Sequence, residues 1–103
     1  MNKINRKPRN EMMYQAILSL ETIEECIQFF EDVCTMPELQ ALEQRFQVAW
    51  LLDHGMIYND ILQETGASSA TISRVKRSLQ YGHGGYAAVF PRLEAAAQQK
   101  DGE

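Results

Sequence analysis

The chain has 103 residues, a net charge of −4 and 45% hydrophobic residues, which is the size and composition of one small domain. No apolar run approaches the roughly 18 residues that a membrane span requires. The N-terminus lacks the apolar stretch of a signal peptide, so a cytoplasmic location is expected. Helix-forming residues dominate and no regular alternation of β-branched and polar residues occurs, which predicts an all-α fold.

Charge is unevenly distributed along the chain. Residues 1–10 contain the bases Lys3, Arg6, Lys7 and Arg9 and no acid, whereas residues 11–57 contain nine acids and the single base Arg45. We interpret residues 1–10 as a disordered basic arm, either a solvated tail or an extension that contacts DNA, and residues 11–100 as one helical domain. An acidic protein can still present local basic patches to a phosphate backbone.

Three helices are predicted before Gly55. The first covers residues 11–20. The second begins after Thr22 and the third after Thr35, because each threonine is followed three residues later by glutamate, the spacing of a capping box. The third helix is expected to end at about His54. Its apolar residues lie on more than one side, which predicts a subunit interface in addition to a core.

Neither metal binding nor catalysis is expected. Cys26 and Cys34 lie too far apart on one predicted helix to form a disulfide. His54 and His83 have no neighbour at metal-ligand spacing. The chain also has no glycine-rich phosphate loop and no cysteine next to a plausible base, so we do not predict an enzyme.

Residues 58–81 have the pattern of a helix-turn-helix. A short helix over about 59–65 precedes Gly66, which can adopt positive φ in the turn, and Ser68 can cap the helix that follows. Two short helices joined through a glycine-containing turn are typical of this motif. After Tyr81 a glycine-rich turn leads into a helix over 86–99, which is expected to be interrupted near Pro91.

The second helix of the motif has two distinct faces. At 100° per residue, Ile72, Val75 and Leu79 fall within about 60° and are expected to point inward. Small residues on the opposite side would allow close approach to bases, and arginines could bind phosphate or guanine. The predicted DNA contacts are Ser68, Ser69, Ala70, Thr71, Ser73, Arg74, Lys76 and Arg77. The alternative is an ordinary amphipathic helix with a solvated polar face.

Residues 36–55 have the sequence MPELQALEQRFQVAWLLDHG, and residues 66–74 have the sequence GASSATISR. Both segments resemble the Trp repressor family, and the resemblance extends over about residues 11–95. ATISRVKR at 70–77, with Tyr81 and Gly82, is most similar to the YerC/YecD-type branch. The resemblance implies an all-helical, intertwined homodimer in which the start of the second motif helix approaches DNA bases.

The resemblance also implies a ligand pocket. Trp repressor holds tryptophan between two arginines that correspond here to Arg45 and Arg74, and Thr35 and Ser78 fall near positions that contact its polar end. Directly after the second arginine, Trp repressor has glycine where this chain has Val75. An isopropyl group would project into the space for the indole, so we predict a vestigial pocket and no tryptophan corepressor; the alternative is a pocket that binds tryptophan or a related small molecule.

The sequence therefore predicts a bacterial-type, sequence-specific DNA-binding protein that acts as a repressor of transcription. It would bind a pseudo-palindromic site in double-stranded DNA as a homodimer. The alternative is a protein–protein interaction module on the same dimeric scaffold, which the acid-rich residues 21–43 favour.

Overall fold

A computed structural model describes residues 8–101, which form six α-helices and no strand. The helices are α1 (Glu11–Leu18), α2 (Ile23–Val33), α3 (Met36–Asp53), α4 (Tyr58–Thr65), α5 (Ser69–Tyr81) and α6 (Gly85–Asp101). The all-α prediction is confirmed. Lys3, Arg6 and Lys7 of the predicted basic arm lie outside the described residues. None of the helices in the described part of the chain has the length and apolar character needed to cross a membrane.

Each of the first three helices is capped at its N-terminus by a side-chain hydrogen bond. Asn10 caps α1, since its Oδ1 accepts a hydrogen bond from the Met12 amide at 3.1 Å. Thr22 Oγ1 accepts from the Glu25 amide at 3.0 Å at the start of α2. Before α3, the Thr35 amide donates to Glu38 Oε1 at 2.8 Å, while Thr35 Oγ1 accepts from the Glu38 amide at 3.3 Å. Both predicted helix starts are therefore confirmed, the second as a reciprocal capping box.

The chain divides into two compact units, one containing the residues up to Leu39 and the other those from Gln40. In the first unit, neither α1 nor α2 has a fully buried residue. Large apolar side chains are exposed there: Met12 by 73%, Leu18 by 85% and Ile23 by 74%. Cys26 lies in α2 and Cys34 directly follows it, and both are free thiols.

The second unit has a compact apolar core to which α3, α4, α5 and α6 all contribute. Its buried residues are Val48, Ala49, Ile61, Ala67, Ile72, Val75 and Phe90. Phe90 of α6 lies edge-on to two aromatic rings of α3, with centroids 5.5 Å from Phe46 and 5.3 Å from Trp50. This core packs α5 along its length and so fixes the orientation of the helix.

Helix α6 continues through Pro91, so the predicted interruption is wrong. Proline removes one helical hydrogen bond and its ring crowds the carbonyl of the residue four positions earlier, which costs about 3 kcal/mol in an isolated helix. Phe90 is buried directly before it and packs against α3. We attribute the continuity of α6 to this packing, which offsets the local cost.

Candidate nucleic-acid interface

The turn between α4 and α5 depends on Gly66. Its φ of 69° lies in the left-handed region, and its amide donates to the Leu62 carbonyl at 2.9 Å, which ends α4. A side chain at this φ would be strained, since Cβ crowds the backbone there. The glycine singled out by the sequence pattern is therefore the residue that turns the chain towards α5.

A hydrogen-bond network at Thr65 joins the same turn to α3. Thr65 Oγ1 donates to the Ile61 carbonyl at 2.8 Å and accepts from the Ala67 amide at 3.1 Å. The Thr65 carbonyl accepts from Gln44 Nε2 of α3 at 3.2 Å. These bonds are partly buried and satisfy polar groups that the turn would otherwise leave without partners. Local sequence patterns do not indicate this role of Gln44, which is 21 residues away from Thr65 in the chain.

Ser68 caps α5 as predicted. Its Oγ accepts from the Thr71 amide at 3.1 Å, and the hydroxyls of Ser68 and Thr71 lie 3.0 Å apart in a further hydrogen bond. Thr71 is half-buried, whereas Ser68 is exposed. Both residues belong to the predicted DNA-contact set, and in this structure their hydroxyls hold the first turn of α5.

The two predicted faces of α5 are present. Ile72 and Val75 are buried and Leu79 packs against the same core. The remaining predicted contact residues are all exposed: Ser69, Ala70, Ser73, Arg74, Lys76 and Arg77. The outer face therefore has small side chains near its start and bases farther along, and residues 68–81 contain no acid.

Tyr81, the last residue of α5, was not among the predicted contacts, yet 80% of it is exposed. It follows Arg77 by four residues and so lies one turn further along the same side of the helix. Extending the helical wheel to the last residue of α5 would have identified it.

The predicted ligand-pocket residues have different environments. Val75 is 2% exposed within the core of the second unit. Arg45 is half-buried on α3, and Arg74 is exposed on α5. Ser78 is also exposed, and its hydroxyl donates to the Arg74 carbonyl at 3.3 Å. Thr35 belongs to the first unit, where its hydroxyl takes part in the cap of α3.

A separate open cleft of about 850 Å³ lies among α3, the end of α5 and α6. Of the five predicted pocket residues, Ser78 alone lines it. Its walls also carry an ion pair, in which His54 Nε2 lies 2.8 Å from Glu94 Oε1. His54 Nδ1 lies 2.8 Å from the Trp50 carbonyl oxygen. Both partners only accept hydrogen bonds, so the imidazolium alone can donate to both.

The hydrogen bond that His54 donates to Glu94 raises the pKa of His54, and the one it donates to the Trp50 carbonyl adds to the effect. At the start of α3, the hydrogen bonds from the Thr35 amide and hydroxyl lower the pKa of Glu38. Among the described residues, His, Cys, Asp and Glu side chains do not gather in groups of three or more that could hold a metal ion.

Comparisons with known proteins agree with this geometry. Residues 9–94, most of the chain, match the family described as Trp repressor protein. The uncharacterized protein YerC of Bacillus subtilis is 49% identical over 84 residues, which are 82% of this chain and 81% of YerC.

Two solved structures are also similar. A protein of Staphylococcus aureus, proposed to be a Trp repressor, matches with a TM-score of 0.77 and 54% identity over 80% of this chain and 82% of its own. A TrpR-like protein of Eubacterium eligens matches with a TM-score of 0.78 and 56% identity over 82% of this chain and 87% of its own. The chain therefore belongs to the Trp repressor family.

Proposed function

We propose that this protein is a transcriptional repressor that binds a pseudo-palindromic site in double-stranded DNA as a homodimer, with α5 as its recognition helix. The outer face of α5 carries the proposal, because it combines small exposed residues at its start with three bases and no acid. Membership of a family of DNA-binding regulators supports the same function and argues against an enzyme.

The proposed contacts follow from position along α5. Ser69, Ala70 and Ser73 lie near the helix start, where a recognition helix approaches base edges and short side chains permit close contact. Arg74 and Arg77 reach farther and can bind guanine or phosphate. The core behind Ile72 and Val75 keeps this face rigid, so binding would need little rearrangement.

The exposed apolar faces of α1 and α2 support the homodimer. Met12, Leu18 and Ile23 are each more than 70% exposed, and Ile27 and Val33 are at least half exposed. Fully burying a side chain of this kind contributes about 1.5–3 kcal/mol. Covering the exposed parts of all five in both copies would contribute about 10–20 kcal/mol before the cost of association. The two recognition helices would enter major grooves about 34 Å apart.

Burial of Val75 supports DNA binding without tryptophan. Its isopropyl group lies in the core. The resemblance to Trp repressor aligns Val75 with the glycine that leaves room for the indole. The Gln44–Thr65 hydrogen bond also connects the turn of the motif to α3 without a ligand. We therefore propose that the orientation of α5 is set by the protein alone.

A selection from random DNA duplexes, run with and without tryptophan, tests these proposals together. We expect one enriched pseudo-palindrome that is the same in both arms. If all six α5 bases of a dimer contact phosphate, the slope of log affinity against log salt should be about −5. Arg74→Glu and Arg77→Glu should each abolish binding, whereas Arg92→Glu on α6 makes the same charge change outside α5 and should bind normally. Failure to enrich any duplex would refute the proposal.

A second candidate is an interaction module on the same scaffold. It is favoured by the acids of residues 21–43, which are all exposed: Glu21, Glu24, Glu25, Glu31, Asp32, Glu38 and Glu43. The six acids up to Glu38 belong to the first unit, and their negative charge suits a basic protein partner. A pull-down with the wild type should recover a stoichiometric protein partner, and the double variant Glu24→Lys/Glu31→Lys should lose it. This result, together with a failed duplex selection, would favour an interaction module over DNA binding.

A further inference from the structure

Tyr81 is a large aromatic side chain at the end of the recognition helix with 80% of its surface exposed. On the helical wheel it falls within about 60° of Ala70, Arg74 and Arg77. It therefore lies on the side of α5 proposed to face DNA, opposite to the buried Ile72 and Val75.

The distance along the helix axis decides which part of DNA Tyr81 could contact. Tyr81 is 11 residues beyond Ala70, or about 16 Å at 1.5 Å per residue. The major groove is about 12 Å wide. With Ala70 at the base edges, Tyr81 would lie past the width of the groove, beside the sugar–phosphate backbone.

The chain immediately after Tyr81 is fixed by Gly82. Its amide donates to the Ser78 carbonyl at 2.9 Å, which ends α5. A Cβ at position 82 would lie 2.3 Å from that carbonyl oxygen, so the backbone could not take this path with a larger residue. The close approach holds the last turn of α5 in place, and with it the backbone position from which Tyr81 projects.

We propose that Tyr81 is a phosphate-binding residue whose hydroxyl donates a hydrogen bond to a backbone oxygen at the edge of the major groove. This inference rests on the proposed function, because it requires α5 to be the recognition helix. A phenol suits the position, since its hydroxyl is a donor and its ring can lie against deoxyribose. The contact strengthens binding to every sequence and does not select among bases.

The salt dependence of DNA affinity distinguishes a phosphate contact made by a neutral hydrogen-bond donor from one made by a cation. Tyr81→Phe removes the hydroxyl but no charge, so affinity should fall about tenfold per half-site, while the slope of log affinity against log salt stays unchanged. Arg77→Gln removes a charge and should reduce that slope by about 0.9 per phosphate contact. Tyr81→Phe should weaken binding to operator and to unrelated duplex by the same factor, which leaves their ratio unchanged.

The experiment compares the full-length wild type with Tyr81→Phe and Tyr81→Ala by fluorescence anisotropy on both duplexes at four salt concentrations. Tyr86→Phe is the matched control, because it makes the same chemical change at a residue packed against the core. Sedimentation of each protein reports its dimer dissociation constant. The inference is supported by a tenfold loss per half-site in Tyr81→Phe, which is about a hundredfold for the dimer, with an unchanged slope and an unchanged dimer constant.

If the wild type binds DNA, three results would overturn this inference. Wild-type affinity in Tyr81→Phe would show that the hydroxyl makes no contact with DNA, and wild-type affinity in Tyr81→Ala as well would remove the whole side chain from the interface. If a Tyr81 variant forms a weaker dimer, but each dimer binds DNA with wild-type affinity, Tyr81 is a contact between subunits. A loss confined to the operator would assign Tyr81 to base recognition. If the wild type itself binds no duplex, the proposed function fails and this inference fails with it.

Discussion

Replacement of Val75 tests the core and the absence of a corepressor in one series. The side chain is 2% exposed and packs among residues of α3, α4, α5 and α6. Val75→Ala removes two buried methyl groups, which costs about 2 kcal/mol including the cavity left behind. Val75→Gly removes one further carbon and places glycine inside a helix, so its total cost should be about 4 kcal/mol.

Urea denaturation at a fixed protein concentration measures these losses, since the stability of an associating protein depends on concentration. For a chain of this size, the alanine variant should also melt about 10 °C below the wild type. A loss below about 0.5 kcal/mol for Val75→Ala would be typical of a surface position and would refute the burial argument.

Calorimetry with tryptophan then tests the pocket. The wild type should show no binding in the micromolar range, whereas Val75→Gly, if Val75 fills the indole space, should gain it because Arg45 and Arg74 remain. Val75→Ala is the control, since a methyl group still occupies part of that space. Micromolar binding by the wild type would contradict the proposal, as would a folded glycine variant that binds no tryptophan.

Three other perturbations probe single contacts. Gln44→Ala should lower the free energy of unfolding, measured by urea denaturation, by about 1 kcal/mol through loss of the hydrogen bond to Thr65. Equal stability of the variant and the wild type would show that this hydrogen bond does not stabilise the turn. Ser68→Ala should cost about 1 kcal/mol of helix stability, which urea denaturation measures and Ser68→Asp, an alternative cap, should largely restore. The pKa of His54 is raised in the folded protein, so the hydrogen bond to Glu94 stabilises the fold fully at a pH below the unfolded pKa of about 6.5. This stabilisation is lost as the pH rises through the folded pKa of His54. Stability measured between pH 5 and pH 9 should show this decrease in the wild type and a smaller one in Glu94→Gln.

Local patterns predicted the helix-turn-helix well because its determinants are close together in the chain. Gly66, the Ser68 cap and the inward residues Ile72 and Val75 all follow from short spacings, and the structure confirms each of them. Whether the outer face of α5 contacts DNA stays a prediction, because exposure is a property that a solvated helix shares.

Features that depend on distant residues could not be predicted in the same way. The Gln44–Thr65 hydrogen bond joins side chains 21 positions apart, and the His54–Glu94 pair joins residues 40 positions apart. Pro91 shows the same limit, since its local preference indicates a break while packing of Phe90 keeps α6 continuous. These contacts arise only once the helices have packed.

The exposed apolar faces of α1 and α2 have a consequence for the kinetics of the proposed dimer. Helices with no fully buried residue in a single chain would gain much of their stability from the partner in the proposed dimer, so completing the fold would be a bimolecular event. Refolding should then contain a second-order phase whose rate rises with protein concentration. In a cell, a newly made copy would stay exposed to proteases until it met another, and the supply of mature regulator would scale with the square of its synthesis rate when copies are few.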